Sequence, residues 1–271
     1  MGGGNSHRPY FDKKRDMKYI FDKIRAVNDL LGKKKVLLML DYDGTVVPIA
    51  KTPSQAILSA SSRKIFEKTA KNPRIKLAFI SGRSLSEIKK MAGINGIFYA
   101  GNHGLEIEGP RTRFVHGKAH ELSADLRTVF EHLSKKLCGY KGVLIEDKNL
   151  SISIHFRLAS AADEKNIKAE VKAAVDQGKF RLSGGKKVLE IRPKEKWDKG
   201  NAANFLADKF KSFFPVYIGD DRTDEDAFSA LKNKGLTIFV GRPGKSAAHY
   251  FVKDHKEVMR FLKTIGQRSQ A

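Results

Sequence analysis

Two aspartates stand one residue apart in "LLMLDYDGTVVPI", at Asp41 and Asp43, directly after an apolar run. Residues i and i+2 of an extended chain point to the same side, so these carboxylates can approach each other. A second acidic cluster, "GDDRTDEDAF", closes another apolar run and holds Asp220, Asp221 and Asp224. An isolated Asp-x-Asp is more often a solvated turn than a site. Carboxylates converging from two strand ends are different, because they repel unless a cation lies between them. Hard oxygen donors favour Mg2+, which keeps part of its water shell and also binds substrate phosphate. Its charge would turn the repulsion to use. Ser81-Gly82-Arg83 adds a hydroxyl and an unobstructed N–H ahead of a helix whose N-terminal end is positive. Lys199 opens another helix and brings an ammonium. As a set, these groups suit phosphate chemistry.

The elements that must position them read as an α/β fold. Short apolar runs at 36–40, 75–80, 96–101, 214–219 and 236–240 each end in polar residues. Their near-continuous apolar character predicts strands buried on both faces, as in a parallel sheet. Helical stretches are predicted at 17–31, 59–71, 84–91, 199–211 and 224–232, from apolar residues at helical spacing. Open parallel sheets place ligands at the C-terminal ends of their strands. Asp41, Asp43, Ser81, Asp220 and Asp221 all follow such ends, so one edge can gather them. This is a Rossmann-like parallel-sheet core.

The stretch 110–191 differs. "SISIHFRL" alternates strictly, with Ile152, Ile154, Phe156 and Leu158 on one face and Ser151, Ser153, His155 and Arg157 on the other. "KVLEIR" alternates too, placing Glu190 and Arg192 together. With helices near 118–137 and 161–176, this predicts a small α+β domain with a half-exposed antiparallel sheet. It interrupts a core made of 17–109 and 192–271, behind a disordered leader at 1–16.

The chain of 271 residues carries a net charge of +22 with 41% apolar content. No run approaches the roughly 20 apolar residues of a membrane span. The start lacks the apolar segment of a secretory signal, and "MGGGNS" fits the loose N-myristoylation pattern, but that pattern is short and permissive and the stretch is read as a floppy terminus. The single cysteine, Cys138, excludes an intrachain disulfide and is expected to be a packed residue in a cytoplasmic protein. The positive charge suits either a nucleic-acid binder or an enzyme that steers an anionic substrate. The lysines sit in short separate runs such as "LGKKKV" and "GGKKV", with no single basic stripe. No membrane and no nucleic-acid partner is expected, and the chain is expected to be a monomer.

"DYDGTVVPI", "SGR", "WDKGNAANFL" and "GDDRTDEDAF" occur in the order of the four motifs of the haloacid dehalogenase-like (HAD-like) phosphatase superfamily. With "AGNHGLEI", "IEDKNLSISIHFR" and "LEIRP", the chain resembles the trehalose-6-phosphate phosphatase family over about 17–265. The resemblance implies a HAD-like core with a mobile cap at 110–191 that sets specificity. It implies that Asp41 is the nucleophile and takes the phosphoryl group as an aspartyl-phosphate. Asp43 would protonate the leaving oxygen and then activate water. Mg2+ would sit among the Asp41 carboxylate, the Asp43 carbonyl and Asp220, with Asp221 and Asp224 in support. Ser81 and Lys199 would hold the phosphate, and Thr45 would orient Asp43. Arg83, His103, Glu146, Lys148, Arg157 and Glu190 would bind the sugar hydroxyls. The substrate would be trehalose 6-phosphate, with another sugar phosphate as the alternative. A basic nucleic-acid-binding protein is the alternative from another class.

Overall fold

The computed structural model describes residues 17–267 apart from positions 51 and 186. The expected leader at 1–16 lies outside the described residues. The chain divides into two compact units, one made of the segments up to Phe79 and from Lys199 onward, the other of Ile80–Asp198.

The first segment of unit 1 runs β1 (Lys18–Tyr19), α1 (Ile24–Gly32), β2 (Lys35–Leu40), α2 (Ala60–Ala70) and β3 (Ile75–Ile80). Unit 2 follows with α3 (Leu85–Ala92), β4 (Phe98–Gly101), β5 (Glu106–Gly109) and β6 (Thr112–Val115). It continues with α4 (Gly117–Glu121), α5 (Ser123–Leu137), β7 (Leu144–Asp147), β8 (Ile152–His155), α6 (Ala161–Ala174), β9 (Phe180–Gly185) and β10 (Val188–Pro193). The chain then returns to unit 1 with α7 (Lys199–Lys209), β11 (Phe213–Gly219), α8 (Asp224–Leu231), β12 (Leu236–Val240), β13 (Tyr250–Val252) and α9 (His255–Gln267).

In unit 1 the strand order is β1-β13-β12-β11-β2-β3, and every pairing is parallel. β2 is central, so its side chains are covered on both faces, and Leu37 to Leu40 are fully buried. That is why it reads as an unbroken apolar run. α2 starts at Ser59, whose hydroxyl accepts the Ser62 N–H at 3.1 Å. α9 buries Val258, Phe261 and Leu262 on one face, as its helical spacing requires.

Unit 2 is antiparallel throughout its named pairings: a β4-β5-β6 meander and a four-stranded sheet ordered β7-β8-β10-β9. α5 and α6 supply Leu126, Leu133, Leu137, Ile167 and Val171 to a core with Ile152, Ile154 and Ile191 from the sheet.

Several expectations need correction. The stretch 17–31 is not one helix: Lys18 and Tyr19 pair with β13 and a 3-10 turn precedes α1. The Tyr19 hydroxyl donates to Glu257 at 2.6 Å, which ties this end to α9. β8 stops at His155, so Leu158 leaves the apolar face and is 75% exposed. The other face of β8 is not open either, since Ser151 and Ser153 are buried. Cys138 is exposed rather than packed, with its thiol donating to the Lys135 carbonyl at 3.1 Å. Among the described residues no helix is long and apolar enough to cross a membrane.

Candidate active site

β2 and β11 are neighbours in register, so their C-terminal ends deliver Asp41 and Asp220 side by side. The Asp41 N–H donates to the Ile218 carbonyl at 2.9 Å, extending the ladder one step beyond β2. The chain then turns sharply: the Gly44 N–H donates to the Val47 carbonyl at 2.8 Å and the Val46 N–H to the Tyr42 carbonyl at 2.9 Å. Asp43 lies in this turn, partly exposed, and bridges Val47. Gly44 has φ +86°, and a Cβ there would fall 2.1 Å from an Asp220 carboxylate oxygen. Only glycine permits both the left-handed backbone and that approach.

Lys199, at the start of α7, is 2% exposed in its side chain and donates to Asp41 Oδ1 and Asp224 Oδ1, both at 2.8 Å. Asp221 stands 4.0 Å from the same ammonium. Asp224 has no exposure, and all of its bonding is structural. Its Oδ1 also accepts the Tyr217 hydroxyl at 2.7 Å, while its Oδ2 accepts the N–H groups of Asp220 (2.9 Å) and Asp221 (3.0 Å). Asp224 therefore shapes the loop and orients Lys199. Thr45, expected to orient Asp43, instead donates its hydroxyl to Asp220 Oδ1 at 2.9 Å.

The electrostatics follow from this crowding. Burial, and then the charges of Lys199 and Asp224, hold the Lys199 and Asp41 pair far from ordinary behaviour. Burial opposes the Lys199 charge, but Asp224 and Asp41 outweigh it and raise its pKa, so the ammonium persists. Burial raises the Asp41 carboxyl; Lys199 offsets this in part, and Asp224, Asp220 and Asp221 add to it. Asp220 is pushed up to about 7 by burial and by the Asp224 charge. Three carboxylates share one buried ammonium, and Asp220 stands beside them. Asp41, Asp220 and Asp224 each offer a carboxylate oxygen within 4.8 Å of the others. Since the Asp224 oxygens are already committed, Asp41 and Asp220 are the carboxylates that a cation would engage. Their proton affinity is raised by burial first and by the neighbouring carboxylates second, and a cation between them would oppose both.

A separate cluster is built in unit 2. The Ser81 N–H donates to the Ala100 carbonyl at 2.9 Å, and the Ser81 hydroxyl, 1% exposed as a residue, accepts the Arg83 N–H at 3.2 Å. Asn102, His103 and Gly104 all take positive φ, at 50°, 57° and 95°. For two non-glycine residues that costs on the order of 1–2 kcal/mol each. The loop is held by the Asn102 N–H on the Arg83 carbonyl (2.7 Å) and the His103 N–H on the Ser81 carbonyl (2.9 Å). The Asn102 amide also donates to Glu106 and to the Lys148 carbonyl, and accepts the Ser151 hydroxyl at 2.6 Å. Gly82 lies under the His103 ring, where a Cβ would come within 2.8 Å.

This arrangement surrounds Glu190 with basic groups. His103 Nε2 is 3.2 Å away, Arg192 Nε 3.3 Å and Lys148 Nζ 3.8 Å. Lys148 also donates to the Gly82 carbonyl at 3.0 Å. Burial opposes ionisation of Glu190, but His103, then Lys148 and Arg192, pull its carboxyl well below the usual range. Arg83 pairs with Glu87 on α3. Glu146 pairs with His155 at 2.8 Å; burial opposes its ionisation, and His155 outweighs burial to lower it. Arg157 lies beyond β8 in an exposed turn.

The sequence reasoning missed Tyr217 and Asn102. Tyr217 is the one hydroxyl-bearing residue in "FPVYIG", and that was its signal. Asn102 shows only as a polar residue ahead of His103.

Known proteins fit this geometry. A model of the trehalose-phosphatase family matches residues 39–256. Over 267 residues the chain is 37% identical to trehalose-phosphate phosphatase B of Arabidopsis thaliana, spanning 91% of this chain and 69% of that protein. A crystal structure of a trehalose-6-phosphate phosphatase related protein superposes with a TM-score of 0.77 at 26% identity, over 85% of this chain and 97% of that one. A haloacid dehalogenase-like hydrolase from Bacteroides thetaiotaomicron shares the fold, with a TM-score of 0.61 at 18% identity over 85% and 99% of the two chains. Matched along most of its length, and carrying the motif residues on a HAD-like fold, the chain belongs to the trehalose-phosphatase family.

Proposed function

We propose that the chain is a Mg2+-dependent phosphatase that converts trehalose 6-phosphate to trehalose and phosphate. The observation that carries this reading is the Asp41–Lys199–Asp224 relay beside Asp220, at the ends of two neighbouring parallel strands. Asp41 attacks phosphorus and displaces the sugar oxygen, forming an aspartyl-phosphate. Asp43 gives its proton to that oxygen, then takes one from the water that opens the aspartyl-phosphate. Lys199 aims Asp41 and favours its ionised form, and with the Ser81 hydroxyl it balances charge on the phosphoryl oxygens. Asp41, the Asp43 carbonyl and Asp220 would hold Mg2+, with Asp221 alongside. When bound, Mg2+ supplies the positive charge that lets both carboxylates stay ionised beside a phosphate dianion.

Residues 110–191 serve as the cap that chooses the sugar. Glu190, Lys148, His103, Glu146, Arg83 and Arg157 are assigned to disaccharide hydroxyls. Glu190 supports this best, because a carboxylate kept ionised and fixed by Lys148, Arg192 and the His103 ring is a ready hydrogen-bond acceptor. Phosphate release across trehalose 6-phosphate, sucrose 6-phosphate and glucose 6-phosphate tests the assignment. A kcat/KM for trehalose 6-phosphate at least about 100-fold above the others is expected, as cap contacts to two sugar rings would give. Equal rates would remove the substrate assignment and leave a less selective sugar phosphatase.

A further inference from the structure

Because the strands of unit 1 are all parallel, their starts share the edge opposite the catalytic one. Four helix-to-strand connections meet there, at 32–35, 71–74, 209–212 and 232–235. Register places them side by side: Val36 pairs with Ile75, Lys35 with Phe213 and Val216 with Leu236. Adjacent strands lie about 4.8 Å apart, so the four connections form a band roughly 15 Å wide. They hold Lys33, Lys34, Lys35, Lys71, Arg74, Lys209, Lys211, Lys232 and Lys234, all exposed, and no acidic residue. Asp208 is the sole acid within two positions of any of these connections.

Part of this charge has a local reason. Lys33, Lys71, Lys209 and Lys232 sit at helix C-terminal ends, where cations complement the dipole. Arg74 donates to the Gly32 and Lys34 carbonyls at 2.9 and 3.4 Å. Lys34, Lys35, Lys211 and Lys234 have no such duty. Among the described residues no carboxylate pairs with them, and Lys35 lies 5.8 Å from the Phe213 ring centroid.

The shape of the edge narrows what it can meet. The recess lined by Asn28, Gly32, Lys34, Arg74 and Thr264 measures about 10 Å³, room for one water at most. That excludes a small-molecule pocket there. The connections are two to four residues long and nothing projects from them that could enter a nucleic-acid groove. Eight of the nine cations are lysines, which act as point charges rather than bidentate readers, and the aromatics of this edge, Phe210 and Phe213, are half-buried and packed edge-on against each other rather than laid open for bases. A flat, lysine-rich face matches a flat anionic one.

We propose that the strand-start edge of unit 1 docks on an anionic phospholipid surface. Docking this way leaves the carboxylates of Asp41 and Asp220 on the edge that faces solution. It departs from the expectation of no membrane partner, which rested on the lack of a spanning segment.

The test is co-sedimentation of the full chain with sucrose-loaded vesicles. One set is pure phosphatidylcholine and the other contains about one third phosphatidylserine. The variant replaces Lys34, Lys35, Lys211 and Lys234 with alanine. A control replaces Lys135, Lys136, Lys165 and Lys172, which are exposed on the helices of unit 2. Each lysine near such a surface contributes about fivefold to partitioning, so the four-site variant should lose on the order of several hundredfold. The control should lose less than about tenfold, through net charge alone. Hydrolysis of p-nitrophenyl phosphate should be unchanged in both, which reports intact folding. Salt should abolish the binding. Equal loss in the two variants, retention by the four-site variant, or no binding to the phosphatidylserine vesicles would overturn the proposal. So would tighter binding to duplex DNA or RNA at the same ionic strength.

Discussion

The two charged clusters of this molecule are built in opposite senses. In the proposed catalytic cluster of unit 1, three carboxylates lie within 4.0 Å of one ammonium, with Asp220 beside them and pushed up to about 7. In unit 2, two cations and the His103 imidazole surround one carboxylate, and Glu190 is pulled well down. The first arrangement has negative charge to spare and is completed by a cation. The second is already satisfied and costs little to keep in place while it accepts a neutral hydroxyl. On the proposed reading, chemistry and recognition are separated by the sign of the surplus. Each region can be perturbed in a way that should leave the signature of the other intact.

The largest effect belongs to the nucleophile. Asp41→Asn should lower kcat by at least about 10⁴-fold, since residues acting as a unit lose most of the rate when one is removed. Steady-state phosphate release with trehalose 6-phosphate measures it, and activity within tenfold of wild type would remove Asp41 from that role. Next comes the buried ammonium. Lys199→Met leaves Asp41 and Asp224 facing each other in the interior, so chemical denaturation should show a loss of about 3–5 kcal/mol. Unchanged stability would mean that the pairs at 2.8 Å contribute nothing net.

Glu190→Gln should act on binding instead. KM should rise about tenfold or more, as expected for losing a charged hydrogen-bond partner, while kcat stays within about threefold. A fall in kcat with constant KM would place Glu190 in the chemistry and blur the division. Stability should carry a pH signature too. The Glu190 carboxyl lies below its usual range when folded, so its contribution is fully present above the unfolded value of about 4.3 and is lost as pH falls through the folded pKa. The stability gap between wild type and Glu190→Gln should therefore hold from neutral pH to about pH 5 and close in stronger acid.

What the sequence revealed and what it hid have physical reasons. The runs 75–80 and 236–240 match β3 and β12 to the residue, because parallel strands covered on both faces leave an unbroken apolar signal. Asp41, Asp220 and Lys199 were legible as a set because strand ends in such sheets converge. Partners across the loop were not legible. Thr45 lies 175 positions from Asp220, and nothing local marks that hydroxyl for it rather than for Asp43. Leu158 followed the alternation of "SISIHFRL" on paper, but β8 ends three residues earlier, and a pattern alone does not mark that end. The lysine runs looked scattered for the same reason. "LGKKKV" and "KNKG" are about 200 positions apart, and only parallel topology puts them on one edge.

The contrast between the two clusters is tested most directly by one experiment: calorimetric titration of Mg2+ into wild type, Asp220→Asn and Glu190→Gln across pH. Wild type should bind one ion per chain, with affinity weakening as pH falls below about 7, where Asp220 takes up its proton. Asp220→Asn should lose at least about 100-fold in affinity, and Glu190→Gln should stay within about twofold of wild type. Wild-type affinity in Asp220→Asn, or loss of the ion in Glu190→Gln, would contradict the account.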